Sequence, residues 1–122
     1  MLILRKEQID ALKAAMRRRF EIRMVEHIRQ TFPERTRDVS DERIYNAVQE
    51  SMRKAESFGI ELEDDIRRFI EYLVIYGTQL DIKEDIRWLG EILRREDLNG
   101  TEKMDMIDDL ELKFVRDQQC LD

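Results

Sequence analysis

The sequence predicts an all-α single domain of about five helices packed around one long N-terminal helix. Three observations predict it. Apolar residues recur at steps of three and four along most of the chain, the spacing of a helix face. Proline occurs once and glycine four times in 122 residues, too few for a loop-rich or all-β chain. Charged residues make up 41% and hydrophobic residues 42%, the make-up of amphipathic helices with solvated outer faces.

The first helix is read over residues 5–32, in which no proline or glycine occurs. Ile9, Leu12, Met16, Phe20, Met24, Ile28 and Phe32 fall on one stripe, with Val25 reinforcing its end. At 1.5 Å per residue it is about 40 Å long. Pro33 stops it by removing a donor and clashing with the preceding turn. Leu2, Ile3 and Leu4 precede it, either capping the core or adding a turn. Residues 33–39 read as a loop.

The second helix is expected over 41–58. Ser40 is its N-cap, Asp41 and Glu42 favour the positive end of the dipole, and Ile44, Val48, Met52, Ala55 and Phe58 form its stripe. Gly59 takes the left-handed position of a Schellman ending, with Ile60 as the apolar contact. The third helix, 62–76, is the most apolar. Ile66, Phe69, Ile70, Leu73 and Val74 form a wide band, and Gly77 ends it. The fourth is expected over 82–96, opened by an Asp81/Glu84 capping pattern and carrying Ile82, Ile86, Leu89 and Leu93. Gly90 inside it is read as a close helix–helix approach and not a hinge. The fifth is expected over 102–117, capped by Thr101, with Met104, Ile107, Leu110 and Phe114 on its apolar side. Asp105, Asp108, Asp109 and Glu111 crowd its polar side.

The net charge of −6 is unevenly placed: residues 1–30 carry +4, residues 31–60 carry −1 and residues 61–122 carry −9. An acidic chain of this kind is a poor general binder of nucleic acid, because phosphates are repelled by most of its surface. Arg17, Arg18, Arg19 and Arg23 on the first helix are the candidate binding residues. Three consecutive arginines fan over about 200° of a helix, so they do not make one compact patch; the readings are pairing with the acidic helices of the same chain, an acidic protein partner, and an RNA or DNA site. Tyr76 and Trp88 are the candidate aromatic anchors.

No catalytic, cofactor or metal constellation is read. The single histidine, His27, has no Glu three residues before it, as a di-metal bundle would need. The glycines at 59, 77, 90 and 100 are isolated, so no phosphate loop is formed. Cys120 is the only cysteine, which excludes an internal disulfide and suits a reducing cytoplasm. No apolar run approaches 18 residues, and no signal-peptide pattern is present. The expected partner is another protein, with a homodimer as an alternative, rather than nucleic acid or membrane.

Several helix ends carry a family resemblance: Phe32-Pro33, the stretch from Ala55 through Phe58 and Gly59 to Ile60, Ile75-Tyr76-Gly77, and the Gly100-Thr101-Glu102-Lys103-Met104-Asp105 run. Together they resemble small helical accessory proteins encoded beside spike and PAAR-type toxin genes of bacterial type VI secretion systems. The resemblance covers most of the chain and implies a cytoplasmic adaptor or chaperone for a secreted effector, or an immunity protein that blocks a toxin. It transfers no site residues. A small nucleic-acid-associated regulator is the third reading.

Overall fold

The computed structural model describes residue 3 and residues 5–120, with side chains described as far as Phe114. Leu2, Leu4 and the side chains of Val115 and Cys120 lie outside the described residues. The fold is all-α. Among the described residues there are six α-helices, one 3-10 turn and no strand: α1 (Lys6–Thr31), α2 (Pro33–Thr36), α3 (Asp41–Ser57), α4 (Glu63–Tyr76), the 3-10 turn (Glu84–Ile86), α5 (Arg87–Leu93) and α6 (Gly100–Cys120). They form two compact units, Met1–Glu50 and Ser51–Asp122. The division falls inside α3.

In the first unit, the helical turn pattern breaks at Phe32 (φ −127°, ψ 62°), and Pro33 occupies the opening position of α2. Residues 33–36, read from the sequence as loop, are therefore a single helical turn. A proline that ends one helix is well suited to begin the next, because its missing N–H needs no partner there. The Thr36 hydroxyl closes this turn by donating to the Phe32 carbonyl at 2.9 Å. Arg29 then ties the end of α1 to the segment that leads into α3. Its guanidinium donates to the carbonyls of Thr36 (2.9 Å) and Val39 (2.6 Å) and to Asp41 (2.7 Å). Ser40 caps α3 as expected, accepting from the Arg43 N–H at 3.2 Å. The buried apolar residues of this unit are Phe20, Met24, Ile28, Ile44 and Val48.

In the second unit, α3 ends as the sequence predicts. Gly59 has φ +78°. The N–H groups of Gly59 and Ile60 donate to the carbonyls of Glu56 and Ala55, each at 3.0 Å, and Ile60 is fully buried. This is the double bond pattern of a Schellman ending. The opening of α6 departs from expectation. Asn99, not Thr101, is its cap: the Glu102 N–H donates to the Asn99 side chain (2.8 Å), and Glu102 accepts from the Asn99 N–H (3.0 Å). The reciprocal pair satisfies two otherwise open donors, and Thr101 is released to bond elsewhere.

The fourth expected helix is cut short. Ile82 is exposed, and the α-helix proper runs only over Arg87–Leu93. Asp81, expected to cap it, instead pairs with Lys54 of α3 at 2.7 Å, while the same lysine donates to the Thr78 carbonyl at 2.6 Å. Leu80, beside it, is fully buried. The anchored turn holds Asp81 against α5, where a Cβ on Gly90 would collide with the Asp81 carbonyl. The close approach at Gly90, expected between helices, is thus made by a loop backbone instead. Gly100 serves the same purpose at the start of α6, since a Cβ there would lie 2.7 Å from the Gly59 carbonyl oxygen. Both α4 and α5 pack on α6. Lys103, buried among them, donates to the carbonyls of Phe58 (2.7 Å) and Leu93 (2.8 Å). One ammonium therefore satisfies the open C-terminal ends of α3 and α5.

Candidate functional site

The four arginines singled out on α1 go to different places. Arg17 lies 4.0 Å from the buried carboxylate of Glu21, one turn on. The Arg23 guanidinium sits 5.8 Å from the centre of the Phe20 ring, within cation–π range. Arg18 lines a groove between α1 and α3, and Arg19 is exposed. The fan expected of consecutive helical arginines is what the backbone produces, and the set does not form one patch.

The groove has a volume of about 420 Å³. Ile22, Val25 and Tyr45 supply its apolar lining, and Glu26, Asp41 and Glu42 its carboxylates. Partial burial, and then a hydrogen bond with Glu21, raises the Tyr45 hydroxyl above its ordinary value of 10.0. Asp41 is already engaged by Arg29. Sequence reading missed this groove, because its walls, residues 18–26 and 41–45, come from separate helices.

The larger surprise is the stripe itself. Phe20, Met24 and Ile28 are buried, as expected. Ile9, Leu12 and Met16 are not: their exposures are 37%, 51% and 53%. All of residues 5–19 are exposed. The first half of α1 thus presents an apolar line to solvent, on roughly the opposite side of the helix from the groove. A signal for this lay in the sequence. Arg5, Arg19 and Arg23 fall on the same line as Ile9, Leu12 and Met16 when positions are advanced by about 100° per residue, and a line interrupted by arginines does not make a dry core.

The two aromatic candidates belong to the second unit. Tyr76 stacks on Tyr72 (centroids 6.2 Å apart) and donates to Glu111 at 3.2 Å. Trp88 is half-buried and lies 5.2 Å from the Phe114 ring, which is itself exposed. Tyr76 is therefore part of a larger polar network along α4 and α6. At its centre Arg68 donates to Asp65 (2.6 Å), Asp108 (2.8 Å) and Asp105 (2.9 Å). The Thr101 hydroxyl donates to the other oxygen of Asp65, and the Tyr72 hydroxyl to Asp108. The cation that meets these α6 carboxylates is thus supplied by α4. Burial pulls the Arg68 guanidinium down, but the three carboxylates outweigh it and raise it above its ordinary value. Burial, and then the bond to Asp108, raises the Tyr72 hydroxyl.

His27 lies 3.4 Å from the Thr31 hydroxyl, one turn along α1. Among the described residues no group of three His, Cys, Asp or Glu side chains is placed to hold a metal ion, and no helix is long and apolar enough to cross a membrane. No protein-family model, curated protein or solved structure matches the chain.

Proposed function

We propose that this chain is a non-enzymatic protein-binding module, an adaptor or chaperone for a secreted bacterial toxin or for a component of its secretion machinery. The observation that carries the binding role is the solvent-facing line of Ile9, Leu12 and Met16. Exposed apolar side chains set singly are ordinary, but a line of them on one helix face, with its continuation buried, marks an interaction surface. The link to toxin delivery rests on the sequence resemblance. The partly exposed aromatic pair Trp88 and Phe114 is a second place where a partner would gain contact area.

A photo-reactive amino acid placed at Leu12 tests this in the bacterium that produces the protein, with the same group at Ala14, on another face of α1, as control. The expected result is a cross-link from position 12 to a toxin or secretion component, identified by mass spectrometry. Equal labelling from both positions, or none from position 12, would remove the reading. Delivery and immunity separate in the same cells: an immunity protein rescues growth when the cross-linked toxin is expressed, and a delivery adaptor is instead required for its export.

A further inference from the structure

We infer that the exposed half of α1 takes an acidic amphipathic helix of the partner protein, paired side by side along α1; this rests on the protein-binding reading above. In a two-helix pairing the contacting positions recur about every 3.5 residues. Arg5, Ile9, Leu12, Met16 and Arg19 occupy successive positions of that kind. The seam therefore has three apolar residues closed at both ends by arginine, over a length of about 21 Å. Lys6 and Lys13 fall at positions that border the seam, where charge selects the partner. Glu7 and Asp10, the two acidic residues of this half, fall outside the seam and its borders. Every charge that a neighbouring helix would meet is thus positive.

That arrangement decides between occupants. A second copy would bring residues 5–19, with six basic and two acidic residues, against another such stretch, and like charges along a pairing are unfavourable. Nucleic acid offers phosphates for the arginines but nothing for Ile9, Leu12 and Met16, and the cations bracket these residues instead of forming a track. A membrane-surface helix uses a broad apolar face with aromatic residues, whereas residues 5–19 contain no aromatic residue and a seam only one side chain wide. An acidic helix with three apolar residues between Asp or Glu satisfies both the seam and its ends.

The test uses the full chain and two synthetic helical peptides of about 20 residues, long enough to span the seam. Both carry the same leucine seam; one has glutamates at its ends and borders, the other lysines. The acidic peptide is expected to bind, more weakly as salt rises, and Leu12→Asp is expected to reduce that binding by about tenfold or more, as removal of a central anchor does. Circular dichroism should show Leu12→Asp as folded as the parent. Replacing Arg5, Lys13 and Arg19 together by glutamate should reverse the preference toward the lysine peptide. Equal binding of both peptides by the parent would overturn the inference. So would binding to anionic vesicles without binding to the acidic peptide, or self-association that Leu12→Asp abolishes. If no acidic-peptide binding is seen while the Leu12 cross-link persists in cells, the partner's chemistry falls and the protein-binding reading stands; if both are absent, both fall.

Discussion

Single residues in the second unit carry unusual weight because they close polar networks at low exposure. Asp65 is 3% exposed and bonded on both oxygens. Arg68→Ala leaves that carboxylate without its cation, and removing one member of a buried pair costs about 3–5 kcal/mol. Chemical denaturation should show the loss, and Asp65→Asn in the same chain should recover part of it. Tyr72→Phe removes a hydroxyl bonded to Asp108, and a bond to a charged group is worth about 1.5–3 kcal/mol. Gly100→Ala places a Cβ against the Gly59 carbonyl and the Ile60 Cα, both backbone atoms. Neither atom moves without shifting a helix end, so a loss of roughly 1–3 kcal/mol is expected. Of these residues, sequence reading identified Asp108 and Gly59 but not their partners. Nothing local to Arg68 says that residues 37 and 40 positions later will reach it.

At the scale of elements, most helices were legible in the sequence and their ends nearly so. Residues 5–32, 41–58 and 62–76 were expected; 6–31, 41–57 and 63–76 are found. Apolar periodicity and glycine stops are local signals, and they suffice where a helix is long. The segment after Gly77 departs from its sequence pattern because Asp81 has two uses. It fits a cap pattern, yet its carboxylate pairs with Lys54, far back in the chain. The α1 stripe departs from its pattern for a related reason: periodicity shows that a face is apolar, not that anything covers it. The two halves of that stripe make opposite predictions. Leu12→Asp should change stability by no more than about 0.5 kcal/mol, as exposed substitutions do, while weakening partner binding by about tenfold or more. Met24→Ala, at a position 3% exposed, should cost about 2–5 kcal/mol. Thermal melts and binding assays on the two variants separate these effects.

For the whole molecule, ionisation sets a window of stability. Hydrogen bonds from Arg67 and Arg95 hold Asp64 and Asp97 below the ordinary aspartate value of 3.8. Their contribution is present above that value and lost as pH falls through the lower folded values, because the unfolded chain then binds protons first. Tyr72 and Tyr76 are raised above the ordinary tyrosine value of 10.0, by burial first and then by Asp108 and Glu111. Their contribution is present below 10.0 and is lost as pH rises beyond it, because the unfolded chain then releases protons first. The melting temperature is therefore expected to be nearly level between about pH 4 and pH 10 and to fall on both sides. Tyr72→Phe should flatten the alkaline fall. A steep change near pH 6–7 would contradict this account.

The sequence by itself determined that the chain is helical, where its long helices lie, and how α3 and α4 stop. Those properties follow from backbone sterics and from apolar spacing within one or two turns. Only the tertiary structure decided which apolar residues are covered, which side chain caps α6, and which cation meets the carboxylates of α6. Burial and ion pairing depend on groups brought together from distant parts of the chain, and that information is absent from any short stretch. The first half of α1 shows the division plainly: one repeating pattern of apolar residues becomes core at Phe20, Met24 and Ile28 and open surface at Ile9, Leu12 and Met16.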